Sequence, residues 1–95
     1  MSDATLLVLS SLAGGDKHGY AIMEDVEAFA GKRLGPGTLY GAIGRLEECG
    51  WIAPVGPRDR RQPYRLTAAG RDYLEAQVSD IGRVLKTAAQ RLNHA

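Results

Sequence analysis

Glycine and proline residues divide the chain into three short helical segments, one β-prone stretch and one long uninterrupted segment. Each of the first three segments carries apolar residues at helical spacing and is followed by glycine, the residue that most often terminates a helix. The terminating residues are Gly14-Gly15, Gly31 and Gly50, and the predicted helices span residues 3–13, 18–30 and 36–49. Because 95 residues hold only one core, these helices are expected to pack on one another.

Helix-start signals precede the first, third and last helical segments. Asp3 and Thr67 are side chains that cap helix N-termini, and Pro36 lies in a first turn, where proline is tolerated. From Thr67 the apolar spacing continues to about Leu92, which predicts a single long C-terminal helix.

The stretch between the third and last helices is typical of a β-hairpin. "WIAPV" at residues 51–55 and "YRLT" at residues 64–67 are short and β-prone, and "GPRDRRQP" between them holds turn formers and four charges. Pro54 and Pro63 limit the strands to short edge elements. We therefore expect two short strands joined by a basic tip.

The order helix–helix–helix–hairpin–helix is that of a winged helix-turn-helix domain. The predicted fold is mainly α with a small β-hairpin, in which the third helix is the reading helix and the hairpin is the wing. Winged-helix domains bind DNA through the third helix and the wing, so residues 1–66 are expected to form a DNA-binding winged-helix part and residues 67–95 a C-terminal dimerisation helix, together as one compact unit.

The formal net charge of +1 hides a segregation of charge along the chain. Residues 1–31 sum to −4, whereas residues 32–65 hold seven basic and three acidic side chains and sum to +4. A basic middle on a nearly neutral chain is the pattern expected of a surface that faces a polyanion. A solvated surface is the alternative interpretation, and within the wing Asp59 relieves the repulsion among the arginines.

Several other classes of protein are not supported by the sequence. No apolar run is long enough to cross a membrane and no leader peptide is visible, so a cytoplasmic, nucleoid-associated protein without membrane contact is expected. The single cysteine, Cys49, permits neither an internal disulfide nor a cysteine-based zinc site, and its position near the core edge predicts a buried, inert thiol. His18 is interpreted as a helix-start residue, not a metal ligand. No set of catalytic residues and no phosphate-binding loop is visible, so we expect that the protein is not an enzyme and that it binds neither a metal nor a cofactor.

The third helix has two contrasting faces. At 100° per residue one face is apolar, and the opposite face carries glycines that each cost about 1 kcal/mol relative to alanine. The apolar residues are Leu39, Ala42, Ile43 and Leu46, and the glycines are Gly37, Gly41 and Gly44, bordered by Thr38, Tyr40 and Arg45. Outward glycines favour the close approach of a bulky surface such as duplex DNA. Tolerated drift in a marginal helix is the alternative.

Four short motifs in order resemble the PadR family of bacterial transcriptional regulators over nearly the whole chain. They are His18-Gly19-Tyr20, Pro36-Gly37-Thr38-Leu39-Tyr40, Arg45-Leu46-Glu47, and Tyr64-Arg65-Leu66-Thr67 continuing to Gly70. The resemblance implies a homodimeric winged-helix repressor that binds a near-palindromic operator in double-stranded DNA. A winged-helix module for protein interaction, without DNA binding, is the alternative function.

The resemblance also implies roles for individual residues. Tyr20 and Thr38 would reach phosphates or groove edges, Tyr40 would anchor to the DNA backbone, and the wing arginines would meet phosphates or the minor groove. The candidate DNA contacts are Tyr20, Gly37, Thr38, Tyr40, Gly41, Gly44, Arg45, Arg58, Arg60, Arg61 and Tyr64. Family members usually carry proline at position 41 and a longer polar residue at position 44, so base readout here rests chiefly on Thr38 and Arg45.

These assignments have structural alternatives. Tyr20 is equally well explained as a half-buried packing residue, and the ring of Tyr40 could shield the apolar stripe. Arg45 could instead pair locally with Glu47 or Glu48.

The last helix carries a heptad-type apolar seam. Its residues are spaced 4, 3, 4, 3 and 4 apart, and they are Leu74, Val78, Ile81, Leu85, Ala88 and Leu92. A helix of this length outruns a small core, so the seam predicts a dimer interface, with packing on its own domain as the alternative. The resemblance leaves a small-molecule effector unknown. Tyr73 is the only aromatic residue on this helix and Trp51 lies in the wing, so no aromatic-sandwich drug pocket is expected.

Overall fold

The computed structural model describes residues 3–58 and 60–94, without the side chain of Asp3. Four helices and three short strands follow one another in this described part of the chain. They are α1 (Asp3–Ala13), β1 (Lys17–His18), α2 (Gly19–Ala30), α3 (Pro36–Glu48), β2 (Ile52–Pro54), β3 (Pro63–Leu66) and α4 (Ala68–Asn93). The predicted winged-helix fold class is confirmed. The side chain of Asp3, expected to cap the first helix, and residue 59, expected to relieve the charge repulsion in the wing, lie outside the described part of the structure.

Local side-chain chemistry fixes where the helices begin and end. His18 caps α2 through Nδ1, which accepts a hydrogen bond from the Ala21 backbone N–H at 3.3 Å. Thr67 caps α4 in the same way, accepting from the Gly70 N–H at 3.0 Å. After α3 the chain reverses at Gly50, whose φ of 76° lies in the left-handed region that favours glycine.

The sheet has one strand more than the predicted hairpin. Its order is β1-β3-β2 and both pairings are antiparallel, with Lys17 opposite Tyr64 and Ile52 opposite Leu66. Strand β1 has only two residues, too few for an alternating pattern to be visible in the sequence. Its pairing with β3 ties the base of the wing to the start of α2.

The core lies where α1, α2 and α3 meet above the sheet. Residues from every helix and from the wing strands contribute to it, and α3 turns its predicted apolar stripe inward. The core is formed by Ala4, Val8, Leu9, Leu12, Ile22, Val26, Leu34, Leu39, Ala42, Ile43, Leu46, Ile52, Tyr64 and Leu74. This packing fixes the face of α3 that remains outside.

The wing base also packs on α4. Gly70 lies so close to the backbone of Trp51 that a β-carbon at residue 70 would overlap the Trp51 carbonyl group. Trp51 stacks on Tyr73, with ring centroids 3.8 Å apart and ring planes inclined by 16°. The aromatic residues that could have lined a drug pocket thus pack on each other inside one chain.

Helix α4 is attached to the domain by its first turns and then extends away from it. Its 26 residues span about 39 Å. Leu74 is only 8% exposed and packs in the chain's own core, and its place in the dimer seam stays a prediction. The spacing of residues in the sequence cannot separate a core position from an interface position, because both lie on the same face of the helix.

Cys49 is exposed, so the prediction of a buried thiol is wrong. The residue caps α3 beyond Leu46, the last residue of that helix in the core. The chain then turns away at Gly50, which leaves the thiol at the surface. None of the helices in the described chain is both long and apolar enough to cross a membrane. Within residues 3–58 and 60–94 no cluster of His, Cys, Asp or Glu could hold a metal ion.

Candidate nucleic-acid interface

The outer face of α3 is almost bare of side chains. Gly37, Gly41 and Gly44 are all exposed, as predicted from the helical spacing. A β-carbon added at Gly37 or Gly44 would meet nothing within 4 Å in the described chain beyond its immediate neighbours and its own helix backbone. Thr38 and Arg45 border this face and are also exposed. The helix therefore presents a flat surface that a large ligand can approach closely.

Arg45 lies across this glycine face. Its Nη1 atom is 3.5 Å from the position that a β-carbon at Gly41 would occupy, so the guanidinium rests one turn back toward the start of α3. Among the described residues, Arg45 does not form the local pair with Glu47 or Glu48 that was the alternative. Glu47 instead pairs with the wing residue Arg58, with 3.6 Å between its Oε2 and Nη2 of the arginine.

A cleft of about 390 Å³ opens between the start of α2, helix α3 and the wing. It brings together five predicted contacts that are far apart in the sequence. The cleft is lined by His18, Gly19, Tyr20, Glu24, Tyr40, Arg60, Arg61, Gln62 and Tyr64. Two phenol groups and two guanidinium groups at one opening can donate hydrogen bonds to an anionic oxygen, which suits a DNA phosphate.

Gly19 makes room for Tyr40 in this cleft. A β-carbon at residue 19 would lie 2.5 Å from the Tyr40 hydroxyl oxygen and 2.9 Å from Cζ, closer than real β-carbons approach other atoms. Tyr40 nonetheless remains 53% exposed and Tyr20 remains 58% exposed. Both tyrosines therefore keep enough free surface to contact a ligand. If the ring of Tyr40 shields the apolar stripe, as the alternative has it, only the buried part of its surface is used in doing so.

Comparison with known proteins identifies the family. A model of the PadR-like family of transcriptional regulators matches residues 8–76. This chain belongs to the PadR-like family. The family consists of transcriptional regulators.

Solved structures of transcriptional regulators share the fold. A PadR family regulator from Clostridium difficile R20291 superposes with a TM-score of 0.84 and 28% identity, covering 96% of this chain and 99% of that one. A transcriptional regulator from Clostridium thermocellum, Cth-833, gives a TM-score of 0.79 and 25% identity over 95% and 96% of the two chains.

A longer relative matches at higher identity. An uncharacterized 37.1 kDa protein in transposon TN4556 of Streptomyces fradiae is 46% identical over 83 residues. That match covers 87% of this chain but 24% of the relative. This PadR-like chain therefore spans about a quarter of the length of that protein.

One predicted contact of the PadR-like chain has little surface to offer. Tyr64 is only 8% exposed, and its burial raises the pKa of the phenol above the usual value. Tyr64 packs in the core and lies at the edge of the cleft, and its role as a DNA contact stays a prediction. An aromatic residue in a strand looks the same in sequence whether it faces the core or the solvent.

Gln62 is a residue of the cleft that the sequence did not indicate. It is buried, and its Nε2 group donates hydrogen bonds to the carbonyl oxygens of Val55 at 2.9 Å and Pro63 at 3.3 Å. These bonds close the base of the wing loop directly beside Arg60 and Arg61. The only signal in the sequence is an uncharged polar residue at the end of a charged run.

Part of the basic segment is neutralised by the acidic segment. Arg65 forms a two-pronged pair with Asp16, with Nη2 at 2.9 Å and Nε at 3.2 Å from Oδ2. These hydrogen bonds raise the pKa of the Arg65 guanidinium. Arg33 pairs with Glu27 at 2.9 Å. Arg60 and Arg61 line the cleft and Arg45 lies on the glycine side of α3, with Arg58 paired to Glu47 alongside.

Proposed function

We propose that this protein acts as a homodimer that binds a near-palindromic operator and represses transcription there, in the cytoplasm with the chromosome. The observation that carries the proposal is the convergence of the bare face of α3, two exposed tyrosines and the wing arginines on one side of the domain. A reading helix placed in the major groove would put the cleft and the wing over the flanking phosphates.

The division of labour on this surface follows from charge. Arg60 and Arg61 are exposed at the wing and line the cleft with Tyr20 and Tyr40. Such groups fix the position of a protein on the duplex through phosphate contacts, without reading its sequence. Sequence selection is left to the exposed residues of α3, Thr38 and Arg45.

The proposed dimer is supported by the apolar face that α4 leaves uncovered. Val78 is 64% exposed, Leu85 is 63% exposed and Leu92 is 76% exposed, an unfavourable arrangement for an isolated chain. A groove of about 320 Å³ between α1 and α4 continues this face, lined by Leu6, Ser10, Val78, Ile81, Gly82 and Leu85. A second copy of α4 carries the matching apolar face, because a two-fold interface uses the same surface on both subunits.

Two-fold symmetry leads to the form of the operator. A dimer presents two reading helices related by a two-fold axis, so the best site repeats one half-site in inverted orientation, about 34 Å away along the duplex. A dimer that covers one face of a promoter over that span would block the transcription machinery from the promoter. Repression is therefore the favoured outcome.

Salt dependence tests the DNA-binding part of the proposal. Binding of the protein to duplex DNA from its own upstream region is expected to weaken steeply as salt rises. Arg60→Ala and Arg61→Ala should each reduce the slope of log K against log salt by about one. Arg83→Ala is the matched control, because Arg83 lies on α4 paired with Asp80, and it should leave the slope unchanged.

The same experiment separates the two candidate functions. Absence of binding to any duplex at low salt would remove the regulator proposal and favour a winged-helix protein-interaction module. We do not propose an aromatic-sandwich drug pocket, since Trp51 and Tyr73 are already stacked on each other.

A further inference from the structure

We infer that Arg45 selects a guanine in each half-site of the operator, by a two-pronged hydrogen bond from its guanidinium to the major-groove edge of the base. The inference rests on the proposed DNA-binding function and specifies which residue reads the sequence and which base it reads.

The position of the guanidinium is the first argument. Arg45 is in the second half of α3, but its Nη1 atom lies over Gly41, four residues earlier. Four residues correspond to about 6 Å along the helix axis, so the charged group is carried toward the N-terminal half of α3. That half of a reading helix is the part that contacts base edges in the major groove.

The second argument is the lack of competing partners. Three other arginines in the basic segment, Arg33, Arg58 and Arg65, are held by Glu27, Glu47 and Asp16. Within the described part of the chain, Arg45 forms no ion pair or hydrogen bond through its side chain. Its planar fork is therefore available to a ligand without first breaking an internal contact.

Chemistry then selects the base. Guanine presents two acceptors, O6 and N7, side by side in the major groove, which matches two N–H groups of one guanidinium. Adenine places a donor beside N7, cytosine presents a donor, and thymine presents a methyl group. Guanine is the base that can accept both hydrogen bonds.

The glycine face makes the contact possible. The guanidinium lies beside the position of a β-carbon at Gly41, and Gly44 leaves the neighbouring surface open. With no side chain at either position, the base edge can approach the helix closely enough for a side chain lying flat along α3 to reach it.

Selection from a random-sequence pool of duplexes tests this inference and determines the half-site in the same experiment. The wild-type protein is expected to enrich a guanine at one fixed position in each half-site. Arg45→Ala should lose that preference while keeping the others, and Arg45→Lys should keep a weaker one. Arg61→Ala is the matched control, because loss of a phosphate contact weakens binding to all sequences alike.

Base analogues provide a second arm that needs only the wild-type protein. Replacing the selected guanine in one half-site by 7-deazaguanine removes the N7 acceptor and should weaken binding by roughly 5- to 150-fold. Inosine keeps O6 and N7 and should bind like guanine. The deaza substitution should have no effect on Arg45→Ala.

The outcomes separate this inference from the function on which it rests. The inference would be overturned if Arg45→Ala binds duplex DNA with the guanine preference intact, or if the wild type binds the 7-deazaguanine duplex as well as the guanine duplex. Either result would leave the DNA-binding proposal standing. Failure of the wild type to bind any duplex would overturn both.

Discussion

Replacing Gly44 by alanine is expected to stabilise the free protein and weaken its binding to the operator. Residue 44 lies within α3, and a β-carbon there would meet nothing within 4 Å in the described chain beyond its adjoining residues and its own helix backbone. The substitution therefore brings the helix-propensity gain of alanine over glycine, about 1 kcal/mol, without steric cost. For a domain of this size, that gain raises the melting temperature by about 4–8 °C.

The loss in binding has a different origin. If the duplex packs against the bare face of α3, a methyl group at residue 44 holds the helix away from the base edges. A good base contact is worth about 1–3 kcal/mol of binding free energy. If one such contact is partly lost in each half-site, the affinity for the operator should fall by about tenfold or more. A stabilised protein with poorer binding would show that the glycine is retained for contact, because stability alone favours alanine.

Urea unfolding and fluorescence anisotropy on a labelled duplex measure the two effects at one fixed protein concentration. Ser79→Ala is a suitable control, because Ser79 is exposed on α4 and alanine is also the better helix former there. This control should gain stability without any change in affinity. If Gly44→Ala gains stability and binds as well as the wild type, the outward glycines are tolerated drift and the argument for close approach of DNA fails.

Three further substitutions or reactions test other parts of the structure. Gly70→Ala should destabilise the protein by several kcal/mol in urea unfolding, since the added β-carbon would overlap the Trp51 carbonyl group, and an unchanged midpoint would contradict this close packing. Cys49 should react promptly with a thiol reagent in the native protein, because the residue is exposed, whereas protection until unfolding would contradict that exposure. Leu85→Glu should shift the mass measured by light scattering from dimer to monomer while the circular dichroism of the helices persists, and a wild type that is already monomeric at micromolar concentration would remove the dimer proposal.

The sequence predicted the helices well because their signals are local. The first helix was placed at residues 3–13, as observed, and the predicted third helix differs from α3 by one residue at its end. The inward and outward faces of α3 also followed from helical spacing alone. The two-residue strand β1 could not be predicted, because its existence depends on pairing with residues 63 and 64.

Properties that depend on distant neighbours were less predictable. The pair between Arg65 and Asp16 joins residues 49 positions apart, so no local pattern reveals it. The exposure of Cys49 depends on where the chain turns after α3. Leu74 and Leu85 share one heptad seam, yet only the fold shows that the first lies in the core and the second is exposed.

The internal ion pairs explain how a chain with a net charge of only +1 can present a basic face to DNA. Asp16 and Glu27, from the acidic N-terminal segment, pair with Arg65 and Arg33, which are therefore already neutralised before any ligand binds. A group that already holds a carboxylate releases no condensed counterion from DNA unless that pair breaks. Arg33 and Arg65 should consequently contribute little to the salt dependence of binding, although both belong to the basic segment. The charge balance of the whole chain is then a poor guide to its affinity for DNA, because what matters is which arginines the fold leaves facing the reading helix.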